Sequence, residues 1–165
     1  MTFTSILKIL ISMAPFWQEP VTETTVERVA RLAIVAHAID DAHLTREQVA
    51  ALLTLGEFES HFALYIGAGR CLTGPYKCDV YRGVNRARTY WQLWRQTCPV
   101  AWSSVEGSAP ELRASVVCAS DKWSLGFERC KNGALGAFSG YAGDSCNWKP
   151  AEKRVLRYNE ILAKL

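Results

Sequence analysis

Six cysteines constrain this chain more than any other feature, and all of them (71, 78, 98, 118, 130 and 146) lie after residue 70. An even number in a chain of 165 residues points to disulfides, and so to an oxidising compartment. No two are spaced Cys-x-x-Cys, which argues against a zinc ribbon or a thioredoxin-type motif. Six cysteines allow about fifteen pairings. Sequential loops are favoured: Cys71–Cys78, Cys98–Cys118 and Cys130–Cys146. The first is the best supported, because a short Gly-Pro segment can bring its ends together. Free buried thiols in a reduced cytosol are the alternative.

The length suits one domain with a real core. With 19 Lys+Arg against 16 Asp+Glu the net charge is +3, enough to favour an anionic polymer such as a bacterial wall and too little to argue for nucleic acid. No stretch is long enough to span a membrane. Residues 1–20 form an apolar N-terminal segment, read as packing or docking to a partner, with a weak secretory signal as the minor option because Lys8 interrupts the run and Met13-Ala14-Pro15 is a poor cleavage site. Residues 21–165 form the main domain.

Pro15 to Pro20 marks a break. A helix is expected from about Thr22 to Ala38, with Val26, Val29, Ala30, Ala33, Ile34 and Ala36 near one face and Glu23 and Glu27 in its first turns. Thr45-Arg46-Glu47-Gln48 reads as a capping box that opens a helix to about His61. Residues 66–84, rich in glycine, read as a stapled loop or small hairpin. Ala87 to Gln96 reads as helical. Pro110 suits the first turn of a helix to about Lys122. Gly133 to Gly140 reads as a short helix of small residues, and Pro150 opens a last helix with Val155, Leu156, Tyr158 and Ile161 inward. The fold class is mainly α.

Chemistry centres on Leu52-Leu53-Thr54-Leu55-Gly56-Glu57-Phe58-Glu59-Ser60-His61-Phe62. An apolar helix runs straight into a carboxylate. A carboxyl at the end of a buried helix, against Phe58 and Phe62, would resist ionising, since desolvation raises a carboxyl pKa and makes a general acid near neutral pH. Glu57 lies two residues away and projects to a different side, so the two do not form a catalytic pair. A lone helical glutamate is more often a solvated surface residue, and context must decide.

Three strings supply it: Glu59-Ser60-His61-Phe62, then Thr89-Tyr90-Trp91-Gln92-Leu93, then Ala137-Phe138-Ser139-Gly140-Tyr141-Ala142-Gly143. In order and spacing they resemble the Glu-Ser-x-Phe, Gly-Leu-Met-Gln and Ala-x-x-Tyr-Asn-x-Gly strings of the lysozyme-like lytic transglycosylases, over about Val49 to Tyr158. The second string departs from that pattern at the family's glycine, and the third has Ala142 where the family has asparagine. The resemblance implies a lysozyme-like single domain that cleaves the MurNAc–GlcNAc bond of peptidoglycan. Glu59 would act as acid and then base, forming 1,6-anhydro-MurNAc, with no second carboxylate and no metal or organic cofactor. Gln92 would border the cleft, Tyr141 would bond Glu59 or the substrate or else pack as a core tyrosine, and Ser60 would orient the glutamate or end its helix. Tyr90 or Trp91 would present an aromatic face to sugar. Such an enzyme works outside the cytoplasm, in the periplasm, secreted or on a virion, and the apolar start would dock it to a phage particle or secretion assembly.

Two readings compete. A hydrolytic muramidase needs a second carboxylate, for which Asp79 in the stapled loop is the candidate, its plainer reading being a turn residue. A wall-binding or structural module that lost activity would explain the altered second and third strings. His37, Asp40, Asp41 and His43 resemble a metal cluster but straddle a helix end and read better as solvated polar residues. Ser60 and His61 are adjacent on a helix and point apart, so they make no nucleophilic dyad.

Overall fold

A computed structural model describes residues 2–13, 23–63, 80–81, 84–85, 87–100, 109–143 and 145–165. Among these, six helices account for most of the chain: α1 (Phe3–Ser12), α2 (Thr25–Asp40), α3 (Arg46–Ser60), α4 (Ala109–Cys130), α5 (Gly133–Ala142) and α6 (Ala151–Lys164). Four two-residue strands lie between α3 and α4: β1 (Val80–Tyr81), β2 (Val84–Asn85), β3 (Ala87–Arg88) and β4 (Leu93–Trp94), paired antiparallel as β1–β2 and β3–β4. The protein is mainly α. No helix among the described residues is long and apolar enough to cross a membrane.

α3 is the central helix. Every residue from Val49 to Gly56 is buried, so it has no polar face along that stretch, as expected of a helix surrounded by others. It packs against α6 and α4. Its start is the anticipated capping box: Gln48 N–H donates to the Thr45 hydroxyl and Thr45 N–H to the Gln48 side chain. α2 opens on a second box, between Thr24 and Glu27.

α1 turns Ile6, Ile9 and Leu10 inward, with Met13 buried behind them, and lies along α2, where the Phe3 ring stacks on His37 at 4.0 Å. The apolar N-terminal segment is thus partly core. The expected break from Pro15 to Pro20 lies outside the described residues. The inward face of α2 includes the expected Ala36 but otherwise differs from expectation: Leu32, Val35 and Ile39 are buried with it, while Val26 and Ile34 face outward. The i, i+3, i+4, i+7 stripe fits the later residues, and alanines too small to anchor a face had blurred the phase.

α4 and α5 form an antiparallel pair at close range. A methyl group on Gly126 would meet the Ala137 carbonyl oxygen at 2.8 Å. The expected end of α4 at Lys122 is therefore short by eight residues, because Gly126 serves the helix contact rather than breaking the helix. Trp123, Phe138 and Tyr158 join α4, α5 and α6 through ring centroids 5.8–6.1 Å apart. Cys98–Cys118 and Cys130–Cys146 are both disulfides, matching the sequential pairing, and Cys71 and Cys78 lie outside the described residues. Leu156 of α6, expected inward, is 67% exposed, while Ala151, Arg154, Tyr158 and Ile161 form the buried stripe.

Residues 87–96 are not helical. β3 and β4 enclose a tight turn, Thr89 to Gln92, whose ends have φ of 72° and 49°. That left-handed backbone at Thr89 and Gln92 cannot continue a helix. Trp91 is drawn inward instead, its indole N–H donating to the Leu52 carbonyl at 2.9 Å.

Candidate functional site around Glu59

Glu59 is the penultimate residue of α3. Ser60 ends the helix: its hydroxyl donates to the Gly56 carbonyl (3.0 Å) and accepts from Phe62 N–H (3.1 Å). His61 and Phe62 then both adopt left-handed backbone, with φ of 51° and 49°, and the chain reverses. Of the two roles foreseen for Ser60, its hydrogen bonds are those of the cap. Phe62 turns back over α3, into space that exists only because residue 56 is glycine, as a methyl group there would lie 2.1 Å from the ring.

Arg31 of α2 fixes this turn. Its guanidinium donates to the Phe62 carbonyl (2.7 Å) and the Tyr90 hydroxyl (3.0 Å) and is ion-paired with Glu23. Burial opposes its charge, but Glu23 and Tyr90 outweigh burial and raise its pKa further. The same arginine therefore links the turn after Glu59 to the turn that carries Gln92.

The Glu59 carboxylate is not enclosed between Phe58 and Phe62. Phe62 is buried, Phe58 lies at the surface, and the carboxylate accepts a hydrogen bond from Arg154 Nη1 at 2.5 Å. The Arg154 side chain is 8% exposed and that of Glu59 20%. The guanidinium lies over the Phe58 ring (5.4 Å) and the Trp148 ring (5.0 Å). Glu57 is separately engaged, its two oxygens accepting from Arg157 Nε and Nη2 at 2.7 and 3.0 Å. The two carboxylates thus have different arginines of α6 and are not a pair.

Tyr141 is buried and donates to the Trp91 carbonyl at 2.7 Å rather than to Glu59. Burial raises its hydroxyl pKa well above the ordinary value, the charge of Glu59 raises it further, and Arg154 works against both. Its hydroxyl therefore lies within the field of the Glu59–Arg154 pair while bracing the 89–92 turn. Gln92 is half-buried, its side-chain amide donating to the Thr89 carbonyl at 3.1 Å. Tyr90 and Trp91 are buried, and their rings pack against Phe62 and each other, so neither presents a face to solvent. Asp79 lies outside the described residues. Among the described residues no three His, Cys, Asp or Glu side chains gather as metal ligands.

Sequence reasoning missed Arg154 and Trp148 as neighbours of Glu59. The sequence held only a spacing: Ala151, Arg154, Tyr158 and Ile161 recur at helical intervals and form the buried stripe of α6, but nothing in that pattern points to Glu59 as the arginine's partner. No protein-family model, curated protein or solved structure matches the chain.

Proposed function

We propose that this protein cleaves the MurNAc–GlcNAc bond of peptidoglycan as a lysozyme-like lytic transglycosylase outside the cytoplasm, with Glu59 as general acid and base. The observation that carries the reading is a carboxylate near the end of α3, one-fifth open to solvent just beyond the buried stretch Val49 to Gly56. Protonated Glu59 gives its proton to the glycosidic oxygen as the C1–O bond breaks. The carboxylate then takes the proton of the sugar's own 6-hydroxyl while O6 bonds to C1, closing the 1,6-anhydro ring and regenerating the acid. No second carboxylate is needed, which suits a site where Glu57 is committed to Arg157. The two disulfides fit an oxidising location.

The ion pair itself favours a second reading, a wall-binding or structural module in which Glu59 and Arg154 merely tie α3 to α6. A muramidase using Asp79 is the third. Digestion of purified peptidoglycan under oxidising conditions, with mass spectrometry of the fragments, separates them. Fragments ending in 1,6-anhydro-MurNAc, absent with Glu59→Gln, are expected. Reducing MurNAc ends would mean a hydrolase. No fragments from the wild type would leave the binding module.

A further inference from the structure

Two arginine–glutamate pairs tie α3 to α6, and they are built differently. Glu57 and Arg157 meet through two hydrogen bonds, one on each carboxylate oxygen. That is the geometry of a simple staple between helices. Glu59 and Arg154 meet through Oε1 alone, and among the described residues no hydrogen bond reaches Oε2. Arg154 is also the deeper of the two arginines, and it lies over two aromatic rings, whereas Arg157 adds a bond to Glu160 on its own helix. Contact with the Phe58 and Trp148 rings holds the guanidinium independently of its bond to Glu59.

A carboxyl group at the end of a glutamate turns easily about its last torsion. One strong bond from a restrained donor to one oxygen stops that rotation and leaves the other oxygen for a reacting group. We infer that Arg154 is the positioning residue of Glu59: it holds Oε1 and leaves Oε2 as the oxygen that gives and takes the proton. This rests on the reading of Glu59 as acid and base. The same guanidinium would meet the negative charge that appears on Glu59 once its proton has moved to the glycosidic oxygen, with no rearrangement. Trp148 and Phe58 act one step further out, by holding Arg154.

The test compares turnover of purified peptidoglycan by the wild type, Glu59→Gln, Arg154→Met, Arg154→Lys and Arg154→Ala, with thermal unfolding of each. Arg154→Met is expected to lower kcat by about 100-fold, the scale for a reacting group misplaced by about an ångström, with KM unchanged. Arg154→Lys keeps the charge and most of the stem but not the planar fork. It should fold and yet recover only part of kcat. Millimolar guanidinium should restore part of the activity of Arg154→Ala, which a purely structural role would not allow. If the wild type cuts and Glu59→Gln does not, but folded Arg154→Met or Arg154→Lys keeps full kcat, the positioning role is overturned and the reading of Glu59 stands. A wild type that does not cut overturns both. Should Arg154→Met fail to fold, Arg154→Lys and the guanidinium rescue decide the matter.

Discussion

Gly56→Ala should destabilise this protein, although helix propensity alone predicts the reverse. Gly56 lies inside α3, where exchanging glycine for alanine normally stabilises by about 1 kcal/mol. Here the new methyl carbon would sit 2.1 Å from Cζ of Phe62 and 2.6 and 2.7 Å from its two Cε atoms. Ordinary contact begins near 3.4 Å, so the ring must retreat by about 1.3 Å. It has little room to do so. The Phe62 amide is held by Ser60, its carbonyl by Arg31, and its ring by Tyr90 and Trp91. Overpacking of this kind costs about 3 kcal/mol, the upper end of the usual range. The net loss is then about 2 kcal/mol, or roughly 4–8 °C in Tm for a chain of this size. Circular dichroism melts of wild type and variant measure it. In a Phe62→Leu background the clashing ring atoms are gone, and Gly56→Ala should cost about 1–2 kcal/mol less. A Tm that rises or stays level on Gly56→Ala would refute the claim that Phe62 is locked over residue 56.

Two other perturbations test the surrounding frame. Replacing Cys98 and Cys118 together with alanine opens a loop of sequence separation 20 and should lower stability by about 3 kcal/mol, read as a fall in the urea midpoint; an unchanged midpoint would mean that the crosslink adds nothing. Burial acts to raise the pKa of Glu23, but its bonds and charge contacts with Arg31, then Arg28, outweigh burial and lower it. Its stabilising effect is therefore complete above the unfolded value of about 4.3 and fades as the pH falls through the lower folded one. Urea unfolding across a pH series should show the stability gap between wild type and Glu23→Gln closing in acid, and a gap constant from neutral to strongly acidic pH would contradict this.

Local signals were legible where a residue's own chemistry decides the outcome. Thr45 and Gln48 can only usefully cap a helix start, and they do. Sequential pairing of the cysteines holds at Cys98–Cys118 and Cys130–Cys146. What was not legible depended on partners distant in sequence. Trp91 and its neighbours have spacing that suits a helix, but the segment forms a strand turn bonded to the Leu52 carbonyl and the Tyr141 hydroxyl, both remote in sequence. Leu156 is apolar and lies in a helix, yet Arg154 takes the inward position because Glu59, 95 residues earlier, offers it a charge. Hydrophobic periodicity does not register such a trade between a leucine and an ion pair.

The backbone around Glu59 carries a further argument. His61, Phe62, Thr89 and Gln92 all have positive φ without being glycine, and Thr89 is β-branched, which makes its φ of 72° the least expected of the four. Left-handed non-glycine residues also follow α2, at His43, and α4, at Lys131, so a single one after a helix is ordinary in this chain. Here two left-handed residues follow the Glu59 helix, and two more bracket the turn that carries Gln92. Conformations of this kind persist only when the surroundings over-determine them. The surroundings do: Arg31 bonds to Phe62 and Tyr90 at once, Tyr141 holds the Trp91 carbonyl, and Trp91 returns to α3 at Leu52. Helices α2, α3 and α5 thus all contribute to holding two strained turns, and both turns adjoin residues of the candidate site. What sets the end of α3 apart is two such residues in succession, His61 and Phe62, in a turn tied to α2 by Arg31, and a turn so held fixes the helix end that bears Glu59.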